Sequence, residues 1–452
     1  MNQIDGKESP ARITRHRIIL IILFASIVRI VFGLTSGVRT YKDSADYFET
    51  ADQIVHGNLA DYTALRPPAY PLFVYVFGKQ PEVIVAAQAV LGVAISVLLF
   101  FLFRRLSGNG RIGLCAALAY ALNPSQIFFE FSIISETLNT FLLVLSILLI
   151  LPVIEWTAGK KQSSLLAVCC LGLATSAVIL TRAQYQFLPL IFIPFIWYSY
   201  RRQPRTAISN TVVFMAPLII IVGSWCGFQQ RVTGHFSVTP DIGINLINHT
   251  VDYIESVPDR YKLYKDILIP IRDRKIREKG DSYCTIGEAM PALMDTTGLR
   301  FWEVASDLKE MSIIAIKANP GTYIFNVGRA FVRFFKPTWY SGVLGIRAAI
   351  TESKPVEKAA ALVYALVHVT FMFLFLVLPL MLLFSTQMRR EFCSGVGTIL
   401  IYALVAAVSF SQALVELGEN SRYKTSVEPL MFGMAIWILF YMVGKLRGRG
   451  RV

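Results

Sequence analysis

The chain has 452 residues, of which 54% are hydrophobic and only 16% are charged, and its mean hydropathy is +0.53. Soluble domains carry roughly 25% charged residues, so this composition excludes an ordinary soluble protein. The 44 lysines and arginines exceed the 30 aspartates and glutamates, giving a net charge of +14. In a soluble chain such an excess would suggest nucleic-acid binding, so the position of the charge matters.

Apolar segments dominate the chain, and ten of them approach the roughly 20 residues that a helix needs to cross a bilayer. They are 18–37, 82–103, 111–127, 133–153, 164–181, 186–200, 207–228, 357–385, 395–415 and 427–444. The third, sixth and tenth are short. The pattern predicts an all-α polytopic membrane protein with about ten transmembrane helices.

The basic residues follow the topology. If the N-terminus is cytoplasmic, alternation of ten spans assigns 18 basic and four acidic residues to the inside, and the rest of the chain is neutral. Both termini are then inside, as the positive-inside rule requires, and no nucleic-acid partner is implied. The first span could instead be a signal peptide, but Arg29 interrupts its apolar run and no small-residue cleavage site follows cleanly.

Two outside segments are long, and they suggest a division into an N-terminal bundle (1–228), a loop region (229–356) and C-terminal helices (357–452). The first long segment, 38–81, contains a predicted helix from Asp43 to His56 that closes at Gly57-Asn58. The sequence from Arg66 to Pro71 then predicts a stiff, non-helical elbow.

The second long segment, 229–356, ends in a predicted helix over 320–335 that begins after Asn319. Arg329, Arg333 and Lys336 share one face of this helix, and Tyr323, Val327, Phe331 and Phe334 share another. We expect this helix to lie in the outer membrane interface with its basic side toward headgroups or a lipid phosphate.

Two carboxylates stand where the chain leaves the first span. Asp43 and Asp46 are three residues apart and therefore lie near one face of a helix. A carboxylate at a membrane boundary that faces a cavity is a suitable general base for a hydroxyl acceptor. The alternative is that Asp43 caps the helix and Asp46 is a solvated charge.

Charged residues in or beside apolar segments are the second signal. Arg182 directly follows an apolar run, and it either binds an anion such as phosphate or extends to the interface. Glu136 enters the fourth span from outside, which requires a protein partner or a substrate. Arg29 is expected to pair within the bundle.

A charged turn precedes the last span. Arg422 and Lys424 lie on the outside, where few cations are expected, so they require an anionic partner. Glu419 and Glu428 are the local candidates, and a substrate is the alternative.

Several motifs of other membrane proteins are absent from the sequence. It has no phosphate-binding glycine-rich loop followed by Lys and Ser or Thr, no paired-histidine zinc helix and no serine nucleophile elbow. No cofactor is expected. Glu136 or Asp46 could offer oxygen ligands, but no metal-ligand spacing supports a divalent metal.

The order of motifs resembles the GT-C class of polytopic glycosyltransferases that use polyprenyl-phosphate sugars. The particular likeness is to bacterial relatives of the protein O-mannosyltransferases and of the lipid A aminoarabinose transferase. The motifs are Asp43-Ser44-Ala45-Asp46-Tyr47, Arg66-Pro67-Pro68-Ala69-Tyr70-Pro71, Ser135-Glu136-Thr137-Leu138, Leu180-Thr181-Arg182, Gly243-Ile244-Asn245-Leu246, Asn319-Pro320, Ser421-Arg422-Tyr423 and Glu428-Pro429.

The resemblance implies that Asp43 is the catalytic carboxylate, Arg182 a ligand of the donor phosphate and Arg422 a second cation near it. The family often has Asp-Glu in the first loop, whereas Ser44 follows Asp43 here, so the base remains open between Asp43 and Asp46. Lys424 is a further candidate phosphate ligand. Candidate substrate-binding residues are Tyr47, Arg66, Glu136 and Asn245.

The expected function is an inverting transfer of a sugar from a polyprenyl-phosphate donor to a hydroxyl of an envelope glycan, lipid or protein. The expected location is the bacterial inner membrane, with the site on the extracytoplasmic face. A flippase for a lipid-linked sugar is an alternative, but neither inverted repeats nor matching broken spans are apparent. An oligosaccharide ligase of the same architecture is a second alternative, which only the identity of the donor distinguishes.

Overall fold

The computed structural model describes residues 10–41, 43–57, 62, 64–155, 164–338, 354–393 and 395–448. The structure is 83% helical, and no strand forms among the described residues apart from one isolated bridge between Arg39 and Ser132. This confirms the all-α fold class.

The N-terminal part has eleven α-helices, with a π-helical turn at Leu218–Val222 between the last two. They are α1 (Pro10–Ser36), α2 (Ser44–His56), α3 (Ala69–Val76), α4 (Pro81–Ser107), α5 (Gly110–Ala121), α6 (Pro124–Glu130), α7 (Glu136–Ile154), α8 (Leu165–Thr181), α9 (Leu188–Ser199), α10 (Pro204–Pro217) and α11 (Gly223–Thr233).

The following region, here called the insertion, carries α12 (Ile242–Thr250), α13 (Lys262–Lys279), α14 (Thr285–Thr297), α15 (Phe301–Ala318) and α16 (Pro320–Phe334). The C-terminal helices are α17 (Lys354–Phe384), α18 (Thr386–Phe392), α19 (Val396–Val415), α20 (Asn420–Tyr423) and α21 (Glu428–Leu446). The three-part division proposed from the sequence stays a prediction.

All ten predicted spans are helical, but they differ in length. Seven stretches among the described residues are long and apolar enough to cross a membrane; these are Arg12–Ser36, Pro81–Ser107, Glu136–Ile154, Pro204–Thr233, Lys358–Phe384, Val396–Val415 and Glu428–Leu446. The bent pair α5 and α6 would make an eighth, whereas α8 has 17 residues and α9 only 12. The count of ten stays a prediction.

The predicted span 111–127 is broken. Helix α5 ends at Ala121, and α6 leaves it at an angle of 58° because Asn123 caps a new helix that begins with Pro124. The segment Pro124–Glu130 is therefore a short buried helix. Its last residue, Glu130, accepts two hydrogen bonds from Arg29, at 2.7 and 2.8 Å, so Arg29 pairs within the bundle as predicted.

The first loop folds partly as expected. Helix α2 ends at His56, and Gly57 follows with a φ of +67°, in the left-handed region that glycine adopts readily; Asn58 lies outside the described residues. The non-helical elbow is shorter than predicted, because α3 begins at Ala69. Pro71 is accommodated there since the first turn of a helix needs no hydrogen bond from the backbone nitrogen.

The insertion has its own apolar core, which α12, α13, α14 and α15 supply. Leu268, Leu293 and Leu308 are fully buried in it. Helix α12 packs directly on the backbone of α15. A Cβ atom on Gly243 would fall only 1.9 Å from the carbonyl oxygen of Ala305, so only glycine fits at this contact. Glycine at this position allows the two backbones to approach, and this places the start of the insertion beside the cavity described below.

Helix α16 begins at Pro320 as predicted, and two of the three residues expected on its basic face, Arg329 and Lys336, are exposed. Ile324, Phe325 and Val332 are each more than 60% exposed, whereas the guanidinium of Arg333 turns inward and donates to the carbonyl of Leu417. Tyr323 also faces inward. The outer surface therefore carries both apolar and basic side chains, and the placement of this helix in the membrane interface stays a prediction.

Candidate active site

A cavity of about 480 Å³ lies between the ends of the apolar helices and the insertion. Its lining comes from six parts of the chain: the first loop, the residue before α7, the end of α8 with the segment after it, the start of the insertion, α15, and α19 with the turn that follows it. The charged residues in this lining are Asp43, Arg66, Arg182, Asp241, Lys309 and Arg422.

A continuous series of ion pairs, here called the charge chain, runs along the membrane side of this cavity. Glu136 joins two arginines through one oxygen, at 2.8 Å to Arg182 and 2.5 Å to Arg422. Arg422 also pairs with Asp43 at 2.8 Å, and Asp43 pairs in turn with Arg66 at 3.0 Å. The chain ends where Arg66 meets Asp46 at 2.6 Å.

Local folding explains why residues so distant in sequence meet. The isolated bridge between Arg39 and Ser132 holds the first loop against the segment that enters α7. Two side chains of α2 reinforce this contact: Ser44 donates to the carbonyl of Ile133, and Tyr47 bonds to the hydroxyl of Ser135 at 3.2 Å. Asp43 therefore lies next to the first residue of α7.

The arginines of the charge chain stay charged despite their burial. Burial by itself would lower the pKa of Arg182 and Arg422, but the nearby carboxylates, Glu136 first among them, outweigh this effect and raise both values. For Arg66 the Tyr47 hydroxyl and the Asp43 and Asp46 carboxylates likewise outweigh burial and raise the pKa. The cavity is a site of fixed, buried charge, which is typical of ligand sites.

The structure brings most of the predicted site residues together. Asp43, Tyr47, Arg66, Arg182, Asn245 and Arg422 all line the cavity, and Glu136 lies just behind it with 1% of its side chain exposed. One oxygen of Glu136 has no hydrogen-bond partner. Sequence reasoning left open whether Glu136 meets a protein partner or a substrate, and the two ion pairs supply the protein partner.

The two candidate bases differ in position. Asp43 lines the cavity, and its side chain is 12% exposed. It precedes α2, but its side chain makes no capping hydrogen bond, so capping does not account for it. Asp46 lies on the outer side of Arg66, is 36% exposed and does not line the cavity. This geometry favours Asp43.

Lys424 lies apart from the other predicted phosphate ligands. Its fully buried ammonium group bonds to the carbonyl of Lys336 at 2.7 Å, to His368 at 3.1 Å and to Glu428 at 3.1 Å. It does not line the cavity. The local partner Glu428, which sequence reasoning offered as the alternative, accounts for this lysine.

Sequence reasoning missed several polar residues of the lining. Gln184, Gln186 and Gln412 lie beside Arg182, and Asp241 and Lys309 come from the insertion. Asp241 stands two residues before the recognised motif that begins at Gly243, and this proximity was the available signal. Lys309 is one of many lysines on exposed helices, and the sequence offers no signal for it.

No group of three or more His, Cys, Asp and Glu side chains is arranged to hold a metal ion within the part of the chain that the structure describes. The carboxylates of the charge chain are instead bonded to guanidinium groups.

The sequence of the segment that carries Glu136 and Arg182 was compared with known families. Residues 67–225 match the dolichyl-phosphate-mannose-protein mannosyltransferase family. This match confirms the resemblance predicted from the motifs over that segment. No curated protein matches the sequence.

Two solved structures are similar to the chain at low identity. The crystal structure of ArnT from Cupriavidus metallidurans bound to undecaprenyl phosphate is 14% identical, covers 95% of this chain and 78% of its own, and gives a TM-score of 0.40. The apo structure of the same protein is 13% identical, covers 93% and 76%, and gives a TM-score of 0.34.

Proposed function

We propose that this protein is a membrane glycosyltransferase that transfers a sugar, with inversion, from a polyprenyl-phosphate donor to an acceptor hydroxyl on the extracytoplasmic face. The family match over residues 67–225 supports the reaction class. The observation that carries the proposal is the convergence of Asp43, Arg182 and Arg422 on one cavity at the ends of apolar helices. The lipid tail would lie against those helices, and the charged head would enter the cavity.

In the proposed reaction the acceptor oxygen attacks the anomeric carbon while the bond from that carbon to the phosphate oxygen breaks. The acceptor proton passes to Asp43, and the electron pair of the broken bond leaves on the polyprenyl phosphate. No protonated acid is needed, because phosphate is already a good leaving group and the arginines stabilise its charge.

Asp43 can act as a base although it is paired. Each carboxylate oxygen forms an ion pair with a guanidinium group, Oδ1 with that of Arg66 and Oδ2 with that of Arg422. A carboxylate has about four lone-pair sites, so each oxygen can still accept the acceptor hydroxyl. The two arginines fix the orientation of the carboxylate, and the hydroxyl becomes acidic enough to transfer its proton only as its oxygen bonds to carbon.

Arg182 and Arg422 do not contribute equally to the phosphate site. Arg422 uses three nitrogens on the carboxylates of Glu136, Asp43 and Glu419. Arg182 uses one, on Glu136, so it keeps more hydrogen-bond donors for a ligand. We propose Arg182 as the main phosphate ligand, while Arg422 adds charge and positions Asp43.

The test replaces Asp43 with Asn in the full-length protein and measures release of polyprenyl phosphate from a labelled polyprenyl-phosphate sugar in membranes that retain the native acceptor. We expect the rate to fall by about 10²- to 10⁴-fold, because loss of a general base has that effect. Arg182→Ala should chiefly raise the KM for the donor, and Arg182→Lys should restore part of the loss.

Asp52→Asn is the matched control, since Asp52 lies on the same helix and pairs only with partly exposed groups such as Lys79. It should keep the wild-type rate. Full activity of Asp43→Asn would refute the assignment of the base, and loss of activity in Asp46→Asn alone would move that role to Asp46.

A further inference from the structure

The cavity has a second charged wall, which the insertion supplies. Asp241 and Asn245 stand at the start of α12, and Lys309 is on α15. The close contact of Gly243 with the backbone of Ala305 and Lys309 fixes these two helices against each other. The insertion therefore contributes a wall of two closely packed helices to the cavity.

The charges of this wall are not balanced in the way that those of the charge chain are. No described residue forms a hydrogen bond or ion pair with the ammonium group of Lys309, although it lines the cavity. By contrast, Arg66, Arg182 and Arg422 each pair with at least one carboxylate. Lys309 thus offers a free cation to whatever enters the cavity.

Asp241 is the carboxylate of the same wall. Its Oδ1 accepts a hydrogen bond from the hydroxyl of Thr239 at 2.6 Å. Burial raises the pKa of this carboxyl, although the hydrogen bond from Thr239 and the positive charge of Arg66 each lower it in part. A partly desolvated carboxylate with remaining acceptor sites binds hydroxyl groups well.

The order of charges across the cavity separates its two ends. Arg182 and Glu136 stand at one end of the charge chain, and Asp43 lies between Arg422 and Arg66. Arg66 lines the cavity together with Asp241, and its positive charge acts on that carboxyl. An inverting displacement requires the nucleophile to enter opposite the leaving phosphate. If the phosphate lies at Arg182, the acceptor comes from the end at Asp241, with Asp43 between them.

We propose that Asp241 and Lys309 form the acceptor subsite, in which Asp241 binds hydroxyl groups of a sugar ring and Lys309 binds an anionic substituent on it, a phosphate or a carboxylate. This inference rests on the proposed function and specifies its acceptor as an anionic carbohydrate. Both residues are specificity-determining and take no part in the proton transfer.

The test measures binding to the full-length protein in lipid nanodiscs by saturation-transfer nuclear magnetic resonance. The probes are glucose 6-phosphate, glucuronate and glucose, and undecaprenyl phosphate probes the donor end. The wild type should bind the two anionic sugars about tenfold more tightly than glucose, a difference of about 1.4 kcal/mol. Lys309→Met should remove this preference, and Lys309→Arg should keep it.

Asp241→Asn should weaken binding of all three sugars severalfold, because an amide replaces an ionised acceptor. Lys317→Met is the matched control, since Lys317 is an exposed lysine of the same helix that does not line the cavity, and it should behave as the wild type. None of these variants should change binding of undecaprenyl phosphate, which Arg182→Ala should weaken.

A wild type without preference for anionic sugars, or a Lys309→Met variant that retains the preference, would overturn the subsite. Weaker undecaprenyl phosphate binding in Lys309→Met would also overturn it, because Lys309 would then belong to the donor end. If the preference for anionic sugars is absent, or is unchanged in Lys309→Met, Arg182→Ala can still weaken binding of undecaprenyl phosphate. In that case the acceptor subsite is wrong and the proposed donor site stands.

Discussion

Replacing Glu136 with Gln tests the charge chain at its most buried member. The substitution keeps the shape of the side chain but removes the negative charge that lies 2.8 Å from Arg182 and 2.5 Å from Arg422. At an effective dielectric constant of about 20, each of these attractions amounts to roughly 6 kcal/mol before desolvation is subtracted. Since removing one partner leaves buried charge uncompensated, we expect a net loss of about 3–5 kcal/mol in stability.

The same substitution should strengthen phosphate binding. The charge chain contains three arginines and three carboxylates, so it is neutral overall and becomes positive by one charge in Glu136→Gln. Undecaprenyl phosphate should therefore raise the thermal unfolding midpoint of the variant more than that of the wild type, because a ligand stabilises in proportion to its affinity for the folded state.

The assay follows intrinsic tryptophan fluorescence during heating of the full-length protein in nanodiscs, with and without undecaprenyl phosphate. Glu419→Gln is the control, since Glu419 also pairs with Arg422 but is 21% exposed, and its loss should have a much smaller effect. A Glu136→Gln variant that is as stable as the wild type and responds equally to the lipid would refute the reasoning.

Two further predictions concern the insertion. Gly243→Ala should destabilise the protein by about 1–3 kcal/mol, because its Cβ would meet the carbonyl oxygen of Ala305, whereas Gly328→Ala, with open space around it, should not lower the unfolding midpoint. Burial lowers the pKa of His249 to about 4, with a weaker opposing effect from the backbone of Glu416. Since its unfolded value is about 6.5, stability should be complete above that pH and fall by about 3 kcal/mol as the pH drops to about 4. His249→Phe should flatten this part of a stability profile measured against pH, and an unchanged slope would contradict the assignment.

Much of the fold could be predicted because the length of an apolar run is a strong signal for a membrane-spanning helix. A bilayer admits only segments whose backbone is bonded internally, so each long apolar run had to be a helix. The break between α5 and α6 has a local signal in Asn123 and Pro124, which an apolar run read only for its length passes over. What no local pattern indicates is the partner of Glu130, since Arg29 is about one hundred residues earlier in the chain.

The site was predictable where the motif residues lie at helix ends. Glu136 begins α7 and Arg182 follows α8, so both lie at the same level once the helices are antiparallel neighbours. Lys309 could not be found in this way, since it is in the middle of α15 and reaches the cavity only because Gly243 lets α12 approach that helix.

The turn before α21 shows why two neighbouring cations can have different roles. Arg422 and Lys424 are separated by one residue, yet the turn is helical there and directs them apart, Arg422 to Asp43 and Lys424 to Glu428. Lys424 also bonds to the carbonyl of Lys336, at the end of the segment that follows α16. Lys424 therefore joins the turn that carries Arg422 to the segment after α16, to α17 and to α21, while Arg422 contacts the carboxylate that we propose as the base.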